Sequence, residues 1–275
     1  MNKETMKHNL SYMNDGISFV NGFISYDETK ILNDELDYLF SKKSVNGSLR
    51  EIKVNKHTSI INMPTLAVRS INLLELCLSV KRELEKHDKK FNSYVNTGIE
   101  IRQDSRQPAL PWHTDNRNGM VRAMIYIGID KKKSGIFRYM KKSHKRDFYV
   151  EHHLSKQEIE VHAADIVNCD VPEGTLILFD SFGFHGRKEC LGKRRIIMFE
   201  FQAKNSNSPI SAVPLSSRIL TDNVLSNLSV FLNGATEYTR ADMYYRDPPE
   251  RNIILRIIGK FRRFYRSLRA SSHSD

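Results

Sequence analysis

Pro111-Trp112-His113-Thr114-Asp115 puts an imidazole and a carboxylate two positions apart. Side chains on a β-strand alternate with period two, so His113 and Asp115 would project from one face. Two ligand-type groups on one face are half of a metal site, or a surface His–Asp pair, and the spacing alone does not choose between them. The choice sharpens downstream. GTLILFDSFGFHGRKECLGKRRIIMFEFQ reads as a strand (Thr175 to Phe179), a turn, His185, a polar loop and a second strand opening at Arg194. A His-x-Asp pair with a distant histidine is the two-histidine, one-carboxylate set that fills one face of an octahedral Fe(II) and leaves three positions open. Structural zinc sites close a tetrahedron instead.

Arg194 extends this reading. A buried guanidinium demands an anion, and its fork matches a carboxylate. The far carboxylate of 2-oxoglutarate would meet that demand while its near end chelates the iron. Strand alternation puts Arg194 inward, Arg195 outward and Ile196 inward, so Arg194 is the expected clamp and Arg195 the alternative. Other side chains fall near this constellation. Arg102 and Arg122 lie on expected strands and would meet an anionic substrate if they point inward, or be surface charges if not. Trp112 would pack beside the metal strand or stack on substrate. His144 would sit behind the site, contact substrate, or make a structural hydrogen bond in a turn. His152 and His153, with Glu151 and His162 nearby, read as a solvated loop or as a second metal site.

The elements that must position these residues follow from periodicity. DGISFVNGFI (15–24) reads as a strand, and Ser25 with Glu28 forms a capping-box pattern. Helical spacing then runs from Tyr26 to Phe40, and again from Thr65 to Lys90. Beyond Phe91 short β-like runs dominate: YVNTGIEIR, GMVRAMIYIGI, GIFRYM, EIEVHA, GTLILFD and RRIIMFEFQ. Many short strands divided by turn signals predict a sandwich or barrel rather than βαβ units. Helices followed by strands give an α+β protein built on a double-sheet barrel.

The chain has 275 residues, 40% of them hydrophobic, enough for one sizeable core with an appended segment. Cys77, Cys169 and Cys190 are odd in number and form no CxxC, which predicts reduced thiols in a cytoplasmic protein. MNKETMKHNL lacks the apolar region of a secretory signal, and no run of apolar residues is long enough for a membrane span. The net charge of +11 is uneven: residues 251–275 carry seven Lys or Arg against one Asp. Within 251–270, Ile254, Ile257, Ile258, Phe261, Phe264, Tyr265 and Leu268 follow helical spacing, with the basic residues mostly opposite. Such a basic amphipathic helix fits an anionic membrane surface or docking on protein. The chain carries no RNP-type motif and no zinc finger, which argues against a nucleic-acid partner.

These segments resemble the phytanoyl-CoA dioxygenase-like branch of the Fe(II)/2-oxoglutarate oxygenases. DGISFVNGFISYDETKILNDELDYL is similar to that branch's opening strand and helix. RAMIYIGIDKKKSGIFRYMKKSHK is similar to its glycine-to-Ser-His segment, with Gly135, Ser143 and His144 in matching places. GTLILFDSFGFHG is similar to its distal-histidine segment. The resemblance spans roughly 14–203. It implies a double-stranded β-helix (a jelly-roll, cupin-like barrel) with N-terminal helices, binding Fe(II) through His113, Asp115 and His185, with Arg194 holding 2-oxoglutarate and O2 as the oxidant. Asp115 implies hydroxylation or another oxidative outcome rather than halogenation, because halogenating relatives lack that carboxylate. Lys141-Lys142 replaces the branch's usual proline-glycine. Glu200 stands where DNA-dealkylating relatives carry a second arginine, which counts against nucleobase repair.

The expected organisation is therefore an oxygenase domain over 1–204, a mixed extension over 205–250 and a basic tail over 251–275. The expected activity is hydroxylation of a small or lipid-linked metabolite, coupled to decarboxylation of 2-oxoglutarate to succinate. Three rivals remain: a cupin-like metal-dependent isomerase or epimerase, a membrane-associated binding module without catalysis, and a protein hydroxylase.

Overall fold

The computed structural model describes residues 10–41, 50–55, 58–62, 71–115, 119–129, 135–145 and 153–203. The chain separates into Met1–Ala235 and Thr236–Asp275. The second unit lies outside the described residues, as do the expected extension over 205–250 and the basic amphipathic helix. Among the described residues no helix is long and apolar enough to cross a membrane.

Two antiparallel sheets build the first unit. A short helix α1 (Tyr12–Asp15) leads into β1 (Ile17–Val20) and α2 (Tyr26–Ser41). Next come β2 (Arg50–Asn55), β3 (Thr58–Asn62), α3 (Ile71–His87), β4 (Tyr94–Asp104), β5 (Leu110–His113), β6 (Met120–Ile129) and β7 (Phe137–Met140). The last are α4 (Lys156–Val161), β8 (Ile166–Asn168), β9 (Leu176–Asp180), β10 (His185–Arg187) and β11 (Arg194–Ala203). The larger sheet has the order β1-β9-β6-β11-β4-β3-β2, and the smaller β5-β10-β7-β8. This is a sheet-rich, jelly-roll-like β fold.

Period two sorts the residues of the large sheet. On β11 and β6, Ile196, Met198, Met124 and Tyr126 join Ile177 and Phe179 of β9 and Phe137 and Tyr139 of β7 in one buried cluster. Their strand neighbours Ile197, Phe199, Phe201, Ala123, Ile125 and Leu178 are buried too. Both faces of the large sheet are therefore covered, which is why these strands read as near-continuous apolar runs. The helices contribute Leu32, Leu36, Leu73, Leu76, Val80 and Leu84 to the core. The α2 helix packs on β6, Asn33 donates from its Nδ2 to the Ile127 carbonyl, and Asn72 of α3 donates to Glu35 of α2 at 3.1 Å.

Four expectations need correction. The segment 15–24 is a strand only over Ile17–Val20; Gly16, at φ 79°, ends α1 in the left-handed region and turns the chain into the sheet. The second helix ends at His87 rather than Lys90, because the Asp88 side chain caps a 3-10 turn over Lys89–Ser93; its expected start at Thr65 falls outside the described residues. EIEVHA is helix α4, not a strand: Ser155 and Glu158 cap each other reciprocally and nucleate it, and Val161 points to solvent at 78% exposure. Helices do not all precede the later strands, since β2 and β3 lie between α2 and α3, and α4 follows β7.

Candidate metal centre

Three elements of the small-sheet end meet at the site. Strand β10 lies between β5 and β7 in antiparallel register, with His185 opposite both His113 and Tyr139. Direct cross-strand pairing brings the two imidazoles to 4.4 Å between centroids. Asp115 follows β5 and is fixed by its backbone: its N–H donates to the Ser181 carbonyl at 3.0 Å. The Thr114 hydroxyl donates to the Phe182 carbonyl at 2.8 Å. The turn 181–183 thus ties the first two ligand-type residues to the third.

The same local device orients both histidines. His113 Nδ1 lies 2.9 Å from the Pro111 carbonyl, and His185 Nδ1 lies 2.9 Å from the Gly183 carbonyl. A carbonyl only accepts, so Nδ1 is the protonated nitrogen in each ring and Nε2 carries the free lone pair. Both Nε2 atoms face the carboxylate, at 3.9 Å from Asp115 Oδ1 for His113 and 3.7 Å from Oδ2 for His185. His185 is buried, and its pKa is pushed down to about 4. Burial is the main cause; His113 and Arg122 add to the fall, while Asp115 and the Gly183 carbonyl oppose it. At neutral pH this imidazole is uncharged, the form that ligates a metal.

The donor set fits one Fe(II)-type ion. The ligand atoms of His113, Asp115 and His185 all lie within 4.8 Å of one another, the single such group of three or more among the described residues. Asp115 Oδ2 is buried and accepts no hydrogen bond of good geometry, although Arg122 Nη1 approaches it at 3.0 Å. A lone pair kept dry and unfilled is what an ion would occupy.

Several supports surround this group. Arg122 faces inward from β6 and bridges Asp115 to Glu200 Oε1, the latter at 2.8 Å. Arg102 is half-buried on β4 and pairs with Glu100 at 2.8 Å. Each arginine thus already faces a carboxylate of the protein. Ser143 donates to the Met140 carbonyl at 2.6 Å and accepts from Phe184 N–H at 2.8 Å, anchoring the residue before His185. Gly183 is needed where it stands, because any Cβ there would collide with the Tyr139 hydroxyl. Lys142, which replaces the glycine usual in the resembled family, still adopts φ 62°.

The remaining candidates are placed as follows. Trp112 points to the face opposite His113, where it is buried at 3% exposure with Met140 and Phe184, under the Arg138 guanidinium at 4.8 Å. It offers no face for substrate stacking. His144 packs where a side chain on Gly16 would stand and bonds the Met13 backbone, and burial lowers its pKa. His153 is exposed, with its ring 6.4 Å from that of His113, and His162 lies 3.7 Å from Asp165. His152 and Glu151 are outside the described residues.

Arg194 is buried at 3% exposure. Its Nε and Nη2 both donate to Asp104 Oδ2, and Nη1 donates to the Gly135 carbonyl at 3.1 Å. Arg195 points the other way and is not a freely solvated cation: it binds Gln103, Asn33 and Asp37 between β4 and α2. Sequence reasoning passed over Arg187, which is also buried, with a pKa lowered by burial first and by Arg194 next. Its period-two distance from His185 was the available signal.

Asp180 shapes the turn that carries Gly183. Its carboxylate accepts from Phe182 N–H at 2.9 Å, and Tyr12, Tyr94 and Tyr139 lie around it. Burial pushes its pKa up to about 6, against the Phe182 N–H and Lys90, which favour the charged form. A carboxyl raised in the fold stabilises most when protonated, so its contribution is full below the unfolded value of about 3.8 and is lost as pH rises through about 6. Asp180→Asn keeps the acceptor and removes the titration. Between pH 4 and pH 7 the wild type is expected to lose about 2–3 kcal/mol relative to this variant in urea denaturation. Parallel pH profiles for the two proteins would contradict the assignment.

No protein-family model matches the chain, and no curated protein matches it in sequence. Solved structures do match in fold. HygX from Streptomyces hygroscopicus, with nickel and 2-oxoglutarate bound, superposes with a TM-score of 0.55 at 15% identity, covering 70% of this chain and 85% of that one. EctD from S. alaskensis, in its apoform, gives 0.58 at 15% identity over 77% and 81%. The non-heme alpha ketoglutarate dependent epimerase SnoN from nogalamycin biosynthesis gives 0.57 at 10% identity over 76% and 90%. HygX is thus seen with nickel and 2-oxoglutarate, EctD also with Fe bound, and SnoN is described as a non-heme alpha ketoglutarate dependent epimerase. The described chain has their fold.

Proposed function

We propose that this chain is a non-haem Fe(II)/2-oxoglutarate-dependent oxygenase with a double-stranded β-helix. In this reading His113, Asp115 and His185 hold the iron, and Arg194 receives the far carboxylate of 2-oxoglutarate. The observation that carries the reading is the convergence of three ligand atoms within 4.8 Å, with both histidines locked by Nδ1 so that Nε2 is free. When bound, Fe(II) with 2-oxoglutarate and O2 supplies the oxidising power that attacks a C–H bond as the oxoacid is decarboxylated to succinate.

The protein's own groups do the rest. Burial keeps His185 neutral, and the Gly183 carbonyl aims the ring. Arg122 restrains Asp115 through Oδ2 at 3.0 Å and balances its charge. Arg194 has five N–H donors, of which three are engaged, so two remain for a carboxylate. The substrate is a small or lipid-linked metabolite. Hydroxylation is the favoured outcome; SnoN, a neighbour described as an epimerase, marks the alternative for the same cofactor pair.

The test is an anaerobic titration of the apo-protein with Fe(II) and 2-oxoglutarate. A visible metal-to-ligand charge-transfer band is expected, followed by succinate release on admitting O2. A folded protein that binds iron but gives no band would end this reading and favour a metal-dependent isomerase or a binding module. The basic tail belongs to the same proposal as a peripheral membrane contact: removing 251–275 is expected to abolish sedimentation with anionic vesicles, and unchanged sedimentation would refute that contact.

A further inference from the structure

We propose that Arg187 is a second cation for the far carboxylate of the 2-oxoacid, acting beside Arg194; this rests on the function proposed above. Arg187 follows His185 by two residues on β10, so both side chains leave the same face of the strand. Two residues of strand advance roughly 6.6 Å, about the reach of a five-carbon dicarboxylate with one end on the metal.

Arg187 and Arg194 converge on Gly135. Arg194 Nη1 donates to the Gly135 carbonyl at 3.1 Å. A Cβ on Gly135 would stand 2.7 Å from Arg187 Nη1, so a larger residue there would displace the guanidinium. Arg187 is 6% exposed. Among the described residues only main-chain carbonyls bond it: Lys188 at 3.2 Å and Pro108 at 2.9 Å. Its Nε is buried and has no partner.

Charge accounting then points to a ligand. Asp104 is the carboxylate among the described residues that acts on both arginines, and Arg194 takes its Oδ2 with two donors. Arg102 is a further cation close to Arg187, and it is already paired with Glu100. Among the described residues two buried guanidiniums thus share one buried carboxylate, leaving an excess positive charge in a dry interior. Such a charge is costly unless an anion joins it. A carboxylate seated between Arg187 and Arg194 would satisfy the orphaned Nε and the unused donors of Arg194 together.

The experiment compares two 2-oxoacids on anaerobic Fe(II)-loaded protein. 2-Oxoglutarate has the far carboxylate and pyruvate lacks it. Half-saturation of the charge-transfer band is read for wild type and for Arg187→Gln, with Arg187→Met as the variant to read if the glutamine form does not fold. Removing Arg187 is expected to raise half-saturation for 2-oxoglutarate at least tenfold, the effect of about 1.4 kcal/mol, and to leave pyruvate unchanged. An unchanged value for 2-oxoglutarate would overturn the proposal. So would equal weakening of both acids, since a merely structural arginine would loosen the site for either. Absence of a band in the wild type with either acid would instead remove the oxygenase reading itself.

Discussion

Replacing His185 by alanine is expected to abolish the charge-transfer band and all succinate formation. The ring is the deepest of the three ligand-type groups, and it meets both of the others, with its centroid 4.4 Å from that of His113 and its Nε2 3.7 Å from Asp115. Losing a partner behind a ligand typically costs about 10–100-fold in metal affinity, so losing the ligand itself should exceed that. The fold should tolerate the change, because the Ser143 hydroxyl holds Phe184 N–H and the turn closes through Gly183 N–H to the Asp180 carbonyl, bonds that do not involve the ring. His153→Ala is the matching control: an exposed histidine near His113 but outside the triad, expected to leave iron binding intact. Iron binding unchanged in His185→Ala, or lost in His153→Ala, would move the metal centre elsewhere.

Arg194→Met is expected to cause the second large effect, and on two separate readouts. It leaves Asp104 at 1% exposure without the guanidinium that donates to it twice. Removing one partner of a buried pair typically costs about 3–5 kcal/mol, and urea denaturation would show it. Arg194→Lys keeps a charge beside Asp104 but loses the fork, so most of that stability should return. Affinity for 2-oxoglutarate should not return, because a side chain already engaged by Asp104 can hold a second carboxylate only with the directed donors of a guanidinium. A lysine variant that binds 2-oxoglutarate like the wild type would show that Arg194 serves Asp104 alone. A methionine variant as stable as the wild type would mean that Asp104 is balanced by other groups.

Much of the frame was legible in the residues. The paired strands of the large sheet announce themselves because both of their faces are buried, which leaves long runs of Ile, Met, Phe and Val in β6, β9 and β11. The capping box at Ser25 and Glu28 opens α2. The same pattern at Ser155 and Glu158 was available but lost to the alternating look of EIEVHA, since Glu158, Ile159, Glu160 and Val161 fit both periods when no buried face decides. Short strands such as β8 and β10, at three residues each, carry too little pattern to be read alone.

For the site, sequence by itself determined the residue types and their order: a His-x-Asp, a distant histidine, and an arginine at the head of a strand. It also implied that Arg194 and Arg195 face opposite ways, because alternation is a property of a single strand. The tertiary structure alone decided the rest. It set His185 opposite His113 by cross-strand register, tied Asp115 to Ser181, and matched Arg194 to Asp104 and Arg122 to Glu200 across β4, β6 and β11. It also turned Trp112 away from the metal strand's inner face and put Arg187 in the interior. The physical reason is range. Periodicity and capping act within a few residues, whereas a shared ion, a buried charge pair and an unpaired guanidinium depend on which distant strands become neighbours.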